Sequence, residues 1–254
     1  MPYFDYSGKK IYYHLIDNSS QQTLIFIHGS GGNSNIWKNQ FKLKVECNII
    51  AIDLPSHNNS DEFPELSLNL YVDIVKRLVD ILKIKKLILC GHSLGGAIIQ
   101  DYYFNNSNDV SALILCATGA RLRVSPFIFN TLKKSYQEYL DYIKIIGFYR
   151  KTSEEIIFNN MEEVSHIKPE VTYNDFKICN QFDTLNITSS INVPCLIVCG
   201  KDDKLTPVKY SEYFKDNIQN SELKIINKAG HMVMIEKPKQ VNKAIENFIK
   251  THLN

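Results

Sequence analysis

Long apolar runs are missing from this chain. The longest, such as Leu87–Cys90 and Ala112–Ala117, fall far short of the ~18 residues that cross a bilayer. An exported leader is not expected either, because the first residues, MPYFDYSGKK, are polar and charged where such a leader needs an apolar core. Charge of one sign is not in excess. The 29 basic and 27 acidic side chains leave a net charge of +2, which gives no footprint for nucleic acid or a membrane surface. Six cysteines in 254 residues do not make a disulfide scaffold. Cys90, Cys116, Cys195 and Cys199 sit in apolar runs, where cysteine behaves as a small hydrophobe. Cys195 and Cys199 have no second Cys/His pair to complete a zinc site. Reduced thiols and a cytoplasmic location are therefore expected. The histidines are scattered, with no His-x-x-x-His, so no metal is expected. Gly29-x-Gly31 lacks the third glycine of a dinucleotide fingerprint, since residue 34 is serine, and no Gly-Lys-Ser/Thr phosphate loop is present. No cofactor is expected.

What remains is a globular composition, 44% hydrophobic and 22% charged, at a length suited to one large domain or a domain with an insertion. Strand and helix signals alternate. Residues 3–6 and 10–15, separated by Ser7-Gly8-Lys9, read as an opening antiparallel hairpin. Thr23–His28, Asn48–Leu54, Lys86–Cys90, Ala112–Ala117 and Pro194–Cys199 are continuous apolar runs, as in strands covered on both faces. Leu223–Ile226 is a shorter one. Tyr71, Ile74, Val75, Leu78, Val79 and Leu82 form a helical stripe, as do Val241, Ala244, Ile245, Phe248 and Ile249 behind Pro238. The pattern predicts an α/β fold, a mostly parallel sheet of eight strands flanked by helices. From Arg121 to Thr188 the rhythm breaks and only helical signals appear: Ser125-Pro126, a capping box Thr152-x-x-Glu155, and Pro169. Residues 121–188 are expected to form a helical cap on a core of residues 1–120 and 189–254.

Gly91-His92-Ser93-Leu94-Gly95 joins a predicted strand to a predicted helix running to about Phe104. In that context Gly-x-Ser-x-Gly is a tight turn that lifts the serine hydroxyl above the sheet. A serine hydroxyl needs a base within reach to act as a nucleophile. A histidine can accept and return its proton, and a carboxylate can fix that histidine's tautomer. A glycine-rich turn with a capping serine is the bland alternative.

The chain resembles the α/β-hydrolase superfamily over essentially its whole length. His28-Gly29-Ser30-Gly31-Gly32 is similar to the family's oxyanion loop. Asp53-Leu54-Pro55-Ser56-His57-Asn58-Asn59-Ser60 resembles its Asp-x-Pro-Gly-His-Gly-x-Ser, with Ser56 and Asn58 where the family has glycine. Gly200-Lys201-Asp202-Asp203-Lys204-Leu205-Thr206-Pro207 resembles its Gly-x-x-Asp-x-x-x-Pro, and Gly230-His231 its closing Gly-His. The resemblance implies Ser93 as nucleophile, His231 as base and Asp203 as its orienting acid, with Asp202 the neighbouring alternative. It implies the backbone N–H groups of Ser30 and Leu94 as oxyanion donors. His92 and His57 are expected to pack or hydrogen-bond within their loops. Trp37 is expected to pack beneath the oxyanion loop, with contact to substrate as the alternative. The implied function is hydrolysis of a carboxylic ester of a small apolar molecule through an acyl-enzyme. Thioester, lactone or C–C cleavage on the same three residues stays open, as does a non-catalytic binding role.

Overall fold

The computed structural model describes residues 2–253. Its strands are β1 (Tyr3–Tyr6), β2 (Lys9–Ile16), β3 (Gln22–Ile27), β4 (Asn48–Ile52), β5 (Lys86–His92), β6 (Val110–Cys116), β7 (Cys195–Gly200) and β8 (Ser221–Ile226). They form one sheet in the order β1-β2-β4-β3-β5-β6-β7-β8. β1 pairs with β2, and β2 with β4, antiparallel; every later pair is parallel.

Alternate residues of each central strand feed opposite apolar layers, which is why these runs are hydrophobic throughout rather than every second residue. Ile25, Ile27, Leu87, Leu89, Leu113 and Leu115 face one layer with α1 (Leu68–Ile81) and α2 (Leu94–Asn105). Leu24, Phe26, Ile88, Cys90, Ile114 and Leu196 face the other with Val241, Ile245 and Phe248. Ser67 starts α1 by accepting from the Leu70 N–H, and Tyr71, Ile74, Val75 and Leu78 then fall on its buried face. The parallel strands all point the same way, so the loops after β3, β4, β5, β7 and β8 gather at one edge of the sheet. Open α/β sheets bind ligands outside that carboxyl edge.

Four helices stand between β6 and β7: α3 (Pro126–Lys134), α4 (Tyr136–Ile146), α5 (Glu154–Ser165) and α6 (Pro169–Gln181). Ser125 caps α3 and Pro126 is its first residue. Ser135 caps α4 by accepting the Glu138 N–H, a serine three residues before a glutamate. The expected capping box at Thr152 is not formed. α5 starts at Glu154 behind Ser153, and the Thr152 hydroxyl instead donates to Glu236, a buried carboxylate 84 residues away. A distant acceptor captured the side chain that local sequence assigned to the helix end. The remaining helices are α7 (Val208–Asn217), α8 (Val233–Glu236) and α9 (Pro238–His252). Among the described residues no helix is long and apolar enough to cross a membrane.

Candidate active site

Ser93 stands between β5 and α2 with φ 52° and ψ −113°, a backbone state that a residue with a Cβ rarely occupies. Two glycines make the turn possible. A Cβ on Gly91 would lie 2.2 Å from the Gly95 carbonyl oxygen, and one on Gly95 would lie 2.3 Å from that of Ile27. The chain is held there by the Ser93 N–H donating to the Cys116 carbonyl (3.2 Å) and by the Thr118 hydroxyl donating to the Ser93 carbonyl (2.8 Å). Ser93 and His231 line the same cavity. The Ser93 hydroxyl forms no hydrogen bond among the described residues. Bonds of this kind often tighten only when substrate is present.

Of the two adjacent aspartates after β7, Asp203 is buried and reaches the histidine; Asp202 is exposed. Asp203 Oδ2 lies 2.9 Å from His231 Nδ1 and accepts the Thr206 hydroxyl at 2.7 Å. Its Oδ1 accepts the N–H groups of Leu205 (2.8 Å) and Thr206 (2.9 Å). With Nδ1 protonated toward a carboxylate, the other ring nitrogen of His231 keeps its lone pair.

Residues Gly29–Gly32 form a turn in which the Gly32 N–H donates to the Gly29 carbonyl at 3.1 Å and Gly31 has φ +62°. Neither the Ser30 nor the Leu94 amide donates to a protein acceptor among the described residues, although Leu94 is fully buried. Asp53 fixes the neighbouring loops. Its Oδ1 accepts the Ser34 N–H, and its Oδ2 accepts the Asn59 N–H and the Asn58 amide. Trp37 is buried, 4.7 Å from Phe26 and edge-on to His92 between ring centroids.

The other histidines around the site are buried, and their bonds reach beyond their own loops. His92 does not bond within its own loop; its Nε2 donates to the His231 carbonyl at 3.1 Å. Burial holds it well below the usual imidazole range, so the ring is neutral. His28 accepts the Leu54 N–H at Nε2 and donates from Nδ1 to the Gly29 carbonyl. A ring that must accept at one nitrogen is neutral, and burial with the charge on His57 lowers its pKa to about 4. His57 does bond within its loop, from Nδ1 to the Pro55 carbonyl at 2.9 Å. Its Nε2 also reaches out of the loop, 2.9 Å to Asp175 Oδ2 on α6. Both ring nitrogens thus face oxygen acceptors, and each needs a proton. Burial opposes the charged ring most strongly, but Asp175, the Pro55 carbonyl and Asp53 together raise the pKa.

Asp175 and Glu236 were not singled out by sequence. Asp175 also accepts the Gly31 N–H (2.8 Å) and the Tyr71 hydroxyl (2.7 Å). Glu236 accepts the Gly230 N–H (2.7 Å), beside His231, and the Tyr149 N–H (2.8 Å). No local motif marks either residue, because the partners lie 144 and 87 residues away for Gly31 and Tyr149.

Above Ser93 lies a cavity of about 180 Å³, over tenfold the ~10–15 Å³ that admits one water. The inserted helices supply most of its apolar wall, including Ile128, Tyr139, Tyr142, Val164 and Phe176. Arg123 and Lys204 stand exposed at its border.

Comparison with known proteins identifies the family and the fold. Residues 24–244 match the model of the alpha/beta hydrolase family. The solved structure of a thermophilic esterase superposes with a TM-score of 0.88 at 34% identity, covering 99% of this chain and 98% of that one. Lipase 3 of a Moraxella species is 26% identical over 91% of this chain and 78% of its own. The uncharacterized hydrolase YugF of Bacillus subtilis is 25% identical over 97% of both.

Proposed function

The chain belongs to the alpha/beta hydrolase family, and from that premise we propose that it hydrolyses carboxylic esters of small apolar substrates through an acyl-enzyme on Ser93. The observation that carries this reading is the buried Asp203–His231 hydrogen bond (2.9 Å) beside a cavity that also holds a serine in a strained turn. His231 takes the Ser93 proton as Oγ attacks the ester carbonyl, and returns it to the departing alcohol. Asp203 holds the imidazole in the required tautomer and stabilises the imidazolium. The unpaired amides of Ser30 and Leu94 receive the developing oxyanion. Water, deprotonated by His231, then releases the acid.

Residues 121–188 act as a cap over the core of residues 1–120 and 189–254. Their side chains give the cavity an apolar wall, so a longer acyl chain gains about 0.8 kcal/mol per buried methylene until the space is full. Six unpaired thiols suit a reducing compartment, and we assign the protein to the cytoplasm. The test is labelling with a fluorophosphonate and turnover of 4-nitrophenyl esters from acetyl to decanoyl. Wild type is labelled, Ser93→Ala is not, and kcat/KM rises from acetyl to a medium-chain optimum and then falls. An unlabelled, inactive wild type overturns the reading. A steady decline from acetyl overturns only the apolar preference.

A further inference from the structure

One face of α6 covers the turn that offers the Ser30 amide. Thr172, Asp175 and Cys179 are spaced i, i+3 and i+7, so they share that face. A Cβ on Gly31 would lie 2.8 Å from the Thr172 hydroxyl oxygen, so this helix packs directly on the turn. Cys179 Sγ lies 3.4 Å from Ser30 Oγ. Between them, Asp175 is fully buried and accepts the Gly31 N–H at 2.8 Å.

The turn has two peptide planes that matter. The Ser30 N–H belongs to the Gly29–Ser30 unit, which is rigid. Its carbonyl end is held twice, by the Gly32 N–H and by His28 Nδ1 at 2.8 Å. The next unit, Ser30–Gly31, is the central peptide of the turn. Its two orientations distinguish a type II turn from type I, and glycine at the third position admits both. Gly31 has φ +62° while Ser30 is not in the left-handed region, which is the type II state. In that state the Gly31 N–H points at Asp175. After a flip the Ser30 carbonyl would face the carboxylate, two acceptors meeting without a proton. The charge of Asp175 therefore selects one turn over the other. His57 and Tyr71 hold the carboxylate in turn, at 2.9 and 2.7 Å.

We propose that Asp175 is a positioning residue for the oxyanion hole, which anchors the Gly31 side of the Gly29–Gly32 turn so that the Ser30 amide stays fixed for the reacting carbonyl. The proposal rests on the ester-hydrolysis reading above. It makes the inserted helices part of the catalytic apparatus rather than a cover alone. The flip itself leaves the Ser30 N–H on its own plane, but without Asp175 the Gly31 side of the turn loses its tie to α6, so the donor's plane is held at its carbonyl end alone and is less well preorganised. Loss of one whole oxyanion donor costs about 10²–10³ in kcat, which sets the ceiling.

The experiment compares wild type with Asp175→Asn and Tyr71→Phe as full chains, on 4-nitrophenyl butyrate. End-point fluorophosphonate labelling counts active sites, so kcat is expressed per intact site. Inhibition by 1,1,1-trifluorooctan-2-one, which forms an oxyanion on the serine, is set against octan-2-one, which does not. For Asp175→Asn we expect kcat per labelled site to fall at least tenfold with KM within threefold of wild type. Trifluoroketone affinity should fall by about the same factor, with octan-2-one unchanged. A variant that is merely less well folded loses sites but keeps kcat per site. Unchanged kcat per site, or a loss confined to KM, overturns the proposal. If Asp175→Asn is not recovered folded, Tyr71→Phe decides. It removes one donor to Asp175 and should lower kcat about threefold or more with the same split; an unchanged kcat overturns the proposal. A labelled, active wild type with unaffected variants sinks this inference alone, whereas an unlabelled, inactive wild type sinks the ester reading beneath it.

Discussion

Replacing Ser93 by glycine should make the protein more stable than replacing it by alanine. Ser93 has φ 52° and ψ −113°. Alanine carries the same Cβ and inherits the same backbone strain, of order 1–3 kcal/mol for a residue held in a sparsely populated region. Glycine adopts that region freely. Against this, glycine adds unfolded-state entropy of about 0.4–1 kcal/mol. The side chain borders a cavity, so its loss opens no sealed void. The difference is about 1 kcal/mol in favour of Ser93→Gly. For a chain of this size 1 kcal/mol moves Tm by roughly 2–4 °C. Both variants lack the proposed nucleophile, so activity does not enter the comparison. Urea unfolding, followed by far-UV circular dichroism on both variants at pH 7.5, gives the difference directly. Ser93→Gly equal to or less stable than Ser93→Ala would mean that the turn is not strained at this residue.

Asp203→Asn should lower kcat by up to ~10⁴, through the wrong histidine tautomer, while Asp202→Asn stays within a few-fold; the reverse ranking in steady-state kinetics would move the acid by one residue. Glu236→Gln replaces a carboxylate that accepts two backbone N–H groups and a hydroxyl. One backbone donor must then face an amide N–H₂, at about 1–3 kcal/mol, and the His231 loop should loosen; an unchanged urea midpoint with unchanged kcat refutes that role. His28 is buried and its pKa is lowered to about 4 from 6.5, so its stabilising contribution is complete above pH 6.5 and is lost as pH falls toward 4. At pH 5 the loss is about 2 kcal/mol. His28→Gln keeps an acceptor for the Leu54 N–H but does not titrate, so its stability should drop less than wild type's between pH 7 and pH 5. Parallel urea curves for the two proteins over that range would contradict the assignment.

The sheet was readable because its strands bury both faces. Runs such as Leu24–Ile27 and Leu87–Cys90 have no polar alternation to confuse with an amphipathic helix, and each is bounded by a loop motif. The candidates Ser93, Asp203 and His231 stand out in the sequence because each sits in a short motif beside a strand end. The inserted helices were harder. Their cap and proline signals gave helix without position, and which aromatics would meet the cavity depended on how α3 to α6 cross. Tyr139 and Phe176 line it, whereas Phe127 and Phe158 are exposed. Thr152 shows the limit of local rules, since its hydroxyl serves Glu236 rather than the next helix. Asp175 shows it most clearly: it is one of several polar residues on α6, and nothing within the helix separates the one that meets Gly31 from those that meet water.

Ser56 and Asn58, in the loop after β4, stand where the family resemblance has glycine. Ser56 has φ 67° and Asn58 has φ 46°, so both positions are left-handed, as glycine would allow without strain. Asn tolerates this state and its amide donates to Asp53 at 2.9 Å, so at position 58 the side chain supplies a bond that glycine could not. Ser56 is the costlier case, by roughly 1–2 kcal/mol. Its hydroxyl accepts the Phe63 N–H at 2.8 Å and its own N–H donates to the Asp61 carbonyl at 3.0 Å. A net bond of about 1 kcal/mol offsets much of the strain. The loop therefore keeps its shape by exchanging backbone freedom for side-chain bonding. That shape presents His57 to Asp175, which links the strained loop after β4 to the turn that offers the Ser30 amide.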